Sequence, residues 1–119
     1  MLNFGGMATR VYLAAQATDM RKGYDGLYGL VRNQLEGDPQ SGHLFVFTNR
    51  THTRIKILVF DGSGLWICAK RLERGHFDWP KIEDGAKCME LSMTRLAALL
   101  DGLDLAEIKQ HKWWRKKAA

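Results

Sequence analysis

"RIKILVFDGSGLWICAKRL", residues 54–72, decides the fold. Two runs rich in β-branched and apolar residues flank Asp61-Gly62-Ser63-Gly64. Aspartate and glycine tolerate the positive φ that a tight turn needs, so the stretch predicts a β-hairpin. If it closes around Gly62 and Ser63, Phe60 pairs with Leu65, Leu58 with Ile67, Lys56 with Ala69 and Arg54 with Arg71. Residues directly opposite share a face. That face is apolar at the turn end and carries Arg54, Lys56 and Arg71 at the other. A loop with an odd number of residues would set Arg54 opposite Lys70 instead. Either register opposes two cations, which is unfavourable unless solvent, a carboxylate such as Glu73, or a bound phosphate relieves it.

Upstream, "LFVFTNR" (44–50) reads as a third strand and "RVYLAAQ" (10–16) as a short buried one. Downstream, "KCMELS" (87–92) is one more, after a loop, "ERGHFDWP", closed by Pro80. Trp66 is assigned to the core. In "DMRKGYDGLYGLV" (19–31), Tyr24, Leu27, Val31 and then Leu35 fall on one helical stripe. The helix is expected to reach about Leu35, with Thr18 or Asp19 as its cap. "SMTRLAALLDGL" (92–103) predicts a second helix, capped by Ser92 and apolar at Leu96, Leu99, Leu100 and Leu103. The order implies an α+β domain. Its sheet is mostly antiparallel, of about four to five strands, with a helix packed on one face and a second, C-terminal helix. The domain is set at 10–104, between an N-terminal leader (1–9) and a basic, Trp-containing tail (105–119). Met7 is an alternative start.

The 119 residues, 45% hydrophobic, suit one domain with a modest core. Cys68 and Cys88 form no CxxC pattern, which fits a reduced, cytoplasmic protein. No apolar run approaches the ~20 residues of a membrane span. The net charge of +5 points mildly to an anionic partner.

Chemistry-bearing patterns are sparse. The histidines at 43, 52, 76 and 111 are scattered, and no metal or other cofactor is expected. Glu73, Asp78, Glu83 and Asp84 form the one dense acidic group, read as solvated surface. Neither a G-x-S-x-G elbow nor a GxxxxGK[ST] loop occurs, so no enzymatic activity is assigned.

What remains points to binding. Arg54, Lys56, Lys70, Arg71 and Arg74 are candidate phosphate ligands, with Arg50 assisting. Arg21 and Lys22 precede a helix start, where free N–H groups attract anions. Gly23, Gly26 and Gly29 cost roughly 1 kcal/mol each inside a helix. Spaced three apart, they make a bare strip that admits a close backbone: the protein's own sheet, another subunit or a nucleic acid. Phe77 and Trp79, among Arg74, His76 and Lys81, suit stacking on bases or docking on a protein. Gly23, Gly26, Gly29, Phe77 and Trp79 are therefore the candidate protein-interaction set.

"VYLA", "TDMRKGYDGL", "LFVF", the 54–80 segment and "LSMTRLAALLDGLD" together resemble the TnpB (second reading frame) accessory proteins of IS-sixty-six type bacterial insertion sequences. The resemblance covers about residues 10 to 104. It implies a protein encoded beside a separate, larger transposase and assisting transposition. The family offers no agreed catalytic residues. Relatives carry a more basic turn where this chain has "NRTHTR"; Thr51 and His52 lower the charge there. The expected function is a non-catalytic transposition factor binding DNA, including the element's ends, through the basic hairpin face. The alternative is a module that recruits or regulates the transposase without touching DNA.

Overall fold

The computed structural model describes residues 9–102. The C-terminal tail and all but the last residue of the leader lie outside the described residues. Five strands, β1 (Val11–Ala14), β2 (Leu44–Thr48), β3 (Arg54–Phe60), β4 (Leu65–Arg71) and β5 (Cys88–Leu91), form one sheet in the order β4-β3-β2-β1-β5. Helix α1 (Tyr24–Asn33) links β1 to β2, and α2 (Met93–Leu100) follows β5. β1 and β2 are parallel, as a helical crossover between adjacent strands requires; the other three pairings are antiparallel. The mostly antiparallel α+β architecture is as the sequence implied.

The hairpin register is the even one. Phe60 pairs with Leu65, Leu58 with Ile67, Lys56 with Ala69 and Arg54 with Arg71. Asp61 fixes it: Oδ1 accepts from Ser63 N, Ser63 Oγ and Gly64 N, at 3.0, 3.1 and 3.0 Å. Gly62 takes φ +103°, a conformation that disfavours a side chain.

Strand alternation splits the core in two. On one face, Leu27 and Val31 of α1 pack on Ala14, Phe45, Phe47 and Leu58. On the other, Leu96 and Leu99 of α2 join Leu13, Val46, Ile55, Ile57 and Phe77. Both faces of the sheet are therefore covered, which explains why β2 is buried at every position.

Several details depart from the sequence reading. The N-cap of α1 is Gly23, with no side-chain cap; Asp19 is held by Arg21 instead. The helix ends at Asn33, not Leu35. Its last turn opens through backbone bonds wider than the helical step, Leu35 N to Leu30 O (3.0 Å) and Gly37 N to Val31 O (2.9 Å). Glu36 then takes a left-handed φ of 56°. Leu35 still packs against the α1-side core, so the apolar stripe outlasts the helix. The glycine strip is not pressed on the sheet: a Cβ at Gly23 would meet nothing within 4 Å, and one at Gly26 would meet the Lys22 side chain at 3.1 Å. Trp66 is not a core residue. It lies on an edge strand, is 46% exposed, and donates its indole N–H to Asp61 Oδ2 at 2.6 Å. α2 is shorter than expected, and Ser92 caps it by accepting from Arg95 N at 3.2 Å.

Candidate nucleic-acid interface

The hairpin brings Arg54, Lys56 and Arg71 together. Arg54 stands opposite Arg71, and Lys56 opposite the short Ala69. The loop before α1 closes over this end with Met20, leaving a cleft of about 280 Å3 lined by Met20, Arg54, Lys56, Ala69 and Arg71 with their strand neighbours. Lys56 Nζ donates to the Lys22 carbonyl at 2.9 Å, which ties the cleft to the start of α1. Arg71 Nε donates to Glu73 Oε2 at 3.1 Å, an ion pair in which both side chains are largely exposed. The Arg54 guanidinium has no partner among the described residues. Its backbone is held firmly: Asn49 Oδ1 accepts from Arg54 N (3.2 Å) and Thr53 N (2.9 Å). Thr48 Oγ1 donates to Arg54 O at 2.9 Å. Asn49 and Thr48 were not singled out from the sequence. Asparagine four residues before a threonine, at a strand end, was the available signal, because asparagine side chains order their own turns.

The other candidate cations are dispersed. Lys70 points to the opposite face, where Nζ donates to Leu100 O at 2.6 Å and closes the C-terminus of α2. It belongs to packing rather than to the cleft. Arg21 is bound by Asp19 through Nε (3.0 and 3.1 Å) and Nη2 (2.7 Å). The Arg21 side chain, then its backbone N–H, holds the Asp19 carboxyl well below the usual carboxylate range. Lys22 is exposed at the entry to α1. Arg50 and Arg74 are exposed and outside the cleft lining.

Phe77 is not available to a partner. It is 0% exposed and sits in the α2-side core, with its N–H donating to His52 O at 2.7 Å. Trp79 is half-buried, its ring stacked on His52 at 5.9 Å. The loop after β4 thus packs on the β2–β3 turn instead of projecting. Gly23 is exposed, and Gly26 and Gly29 are half-buried. Among the described residues, no group of three or more His, Cys, Asp or Glu is placed to hold a metal ion. Burial raises the thiols of Cys68 and Cys88, so neither is primed as a thiolate. No helix among the described residues is long and apolar enough to cross a membrane.

The IS66 Orf2-like family model matches residues 9–110, the whole described domain. The chain belongs to the IS66 Orf2-like family. Membership makes it an insertion-sequence-associated accessory protein. Two relatives from Sinorhizobium fredii (strain NBRC 101917 / NGR234) carry no assigned activity. The uncharacterized protein y4hO is 40% identical over 99 residues, covering 83% of this chain and 84% of its own. The uncharacterized protein y4jC is 37% identical over 101 residues, covering 85% of each. No solved structure matches. The site of this IS66 Orf2-like protein is therefore read from its own residues.

Proposed function

We propose that this protein is a non-catalytic transposition factor that contacts DNA through the cleft formed by Arg54, Lys56 and Arg71. One observation carries the reading: Arg54 is paired directly with Arg71. Like charges opposed across strands are unfavourable, and folding has no need of this pair, since the hairpin is fixed at its other end by Asp61. A phosphate between them turns the repulsion into two charge-assisted contacts. Arg50, Arg74 and Lys22 add exposed positive charge around the cleft, suited to steering.

The test is titration of fluorescent DNA carrying the element's terminal repeats, beside a scrambled duplex, across salt. Three phosphate contacts, one in the cleft and two at the exposed cations around it, give a log–log slope near −2.7, or roughly 40-fold weaker binding between about 50 and about 200 mM salt. Charge reversal at both Arg54 and Arg71 abolishes this binding. Binding that survives the double reversal refutes the assignment. Preference for the terminal repeats over the scrambled duplex would make the protein a reader of the element's ends.

A second reading is recruitment of the element's transposase. The open side of Gly23, where a Cβ would meet nothing, and the exposed Tyr24 beside it favour an apolar protein contact there. Co-purification with the transposase that survives nuclease treatment and is lost on Tyr24→Ala supports it. Failure to co-purify at high concentration removes it.

A further inference from the structure

We propose that Ala69 makes the cleft a seat for one phosphate group, supplied by a phosphodiester backbone. The proposal rests on the DNA-binding reading and specifies which part of the nucleic acid the cleft takes. Ala69 faces Lys56 across the hairpin, and the next pair on that face is Arg54 with Arg71. Three of these four positions carry long cationic side chains. The fourth is a single methyl, exposed to solvent, so the floor between the cations stays open. Ile55 is 1% exposed and the Lys70 ammonium is at Leu100, so these two neighbours give the cleft backbone and no bulk.

Size and composition say what fits. The volume of about 280 Å3 lies just below the about 300–1,000 Å3 of small-molecule pockets. It admits a phosphate with part of its flanking sugars, not a flipped nucleotide. No aromatic side chain lines it, so it offers no stacking platform for a base. The donors match a phosphate. Arg54 brings an unpartnered guanidinium. Arg71 uses only Nε on Glu73, leaving both terminal nitrogens for two oxygens. Lys56 is anchored at the inner end by the Lys22 carbonyl, leaving it two further N–H donors. A seat of this kind reads no sequence; it fixes where the backbone lies.

The test fills the seat without changing its charge. Full-length Ala69→Leu, Ala69→Val and Ala69→Ser are compared with the parent for thermal midpoint and for binding to a fluorescent duplex across salt. In parallel, inorganic phosphate is titrated against the backbone amide signals of Lys56 and Ala69 in NMR spectra. The expected result is about tenfold weaker duplex binding by the Leu and Val variants, with a salt slope shallower by about 0.9, the value of one lost phosphate contact. The Ser variant, which adds one small hydroxyl at the floor and no apolar bulk, binds like the parent. Phosphate moves the backbone amide signals of Lys56 and of residue 69 in the parent and moves neither in the Leu variant. If Leu and Val variants with parental midpoints bind DNA with unchanged slope, the seat is overturned and the DNA reading survives. If the parent ignores DNA yet phosphate shifts those signals, the DNA reading falls and the seat holds a free phosphate. If neither ligand binds, both fall.

Discussion

Replacing Phe77 with alanine separates a core role from a contact role at one of the two aromatics whose sequence context suggested docking. The ring is 0% exposed and lies among Leu96, Leu99 and the α2-side strand residues. Phe→Ala at buried sites costs about 3–5 kcal/mol, of which part is the cavity left behind. Phe77 belongs to a segment without regular secondary structure, between β4 and β5, which can settle into the gap. The low end, about 3 kcal/mol, is therefore expected. Domains of this size hold about 5–15 kcal/mol in total, so the variant folds with a thin margin. At about 4–8 °C per kcal/mol, its thermal midpoint falls by roughly 12–24 °C. Urea unfolding followed by circular dichroism measures the loss directly. DNA titration well below the lowered midpoint shows parental affinity, because the ring touches neither the cleft nor solvent. A variant within about 0.5 kcal/mol of the parent, or one that keeps its stability and loses a partner, would refute the assignment of Phe77 to the core.

Glu73→Gln frees Arg71 from its exposed ion pair. Duplex binding at low salt should tighten by roughly two- to fivefold, the scale of one surface ion pair, and the gain should fade at higher salt. Asp61 sets an acid limb on stability. Backbone N–H bonds from Ser63 and Gly64 and the Trp66 indole pull its carboxyl down from 3.8 to about 2. A depressed folded-state pKa means that this stabilisation is complete above about pH 4 and is lost as pH falls towards 2. Asp61→Asn should remove that limb from a series of urea midpoints, while Trp66 fluorescence reports the freed indole. An unchanged limb would mean that other carboxylates set it.

The hairpin was legible down to two registers, because a two-residue period and an Asp-Gly turn leave little other choice. Arg54 opposite Arg71 followed from the even one, which the structure adopts. Lys70 was grouped with them because the odd register remained open, and the structure places it one position out of phase, on the other face. Trp66 was misassigned for a related reason. Parity says which residues share a face, not how far a helix covers that face, and α2 leaves Trp66 at an edge. The start of α1 was misread because Asp19 is a good cap by type, yet Arg21 supplies a stronger partner. Its end was misread because Leu35 keeps the helical spacing after the backbone has left the helix. Phe77 could not be placed from sequence: aromatic residues among cations are as compatible with a loop folded inward as with one facing out. Nothing local announces that His52 O and the α2-side core receive it.

The position of β1 has a consequence for how the chain folds. β1 is laid down first, yet one of its two partners is β5, with Val11 opposite Leu91. The segments from β1 to β4 can close early, through a local crossover and two consecutive antiparallel pairings. Until the last strand arrives, β1 keeps an open edge beside an apolar face carrying Leu13, Val46 and Ile57, which α2, following β5 in the chain, does not yet cover. Long-range closure is slow, and an open edge over bare apolar surface is the sticky species of a folding sheet. Docking of β5 and α2 therefore ends the vulnerable interval, and a chain stopped before Cys88 would self-associate at the edge that its own C-terminal strand was to fill.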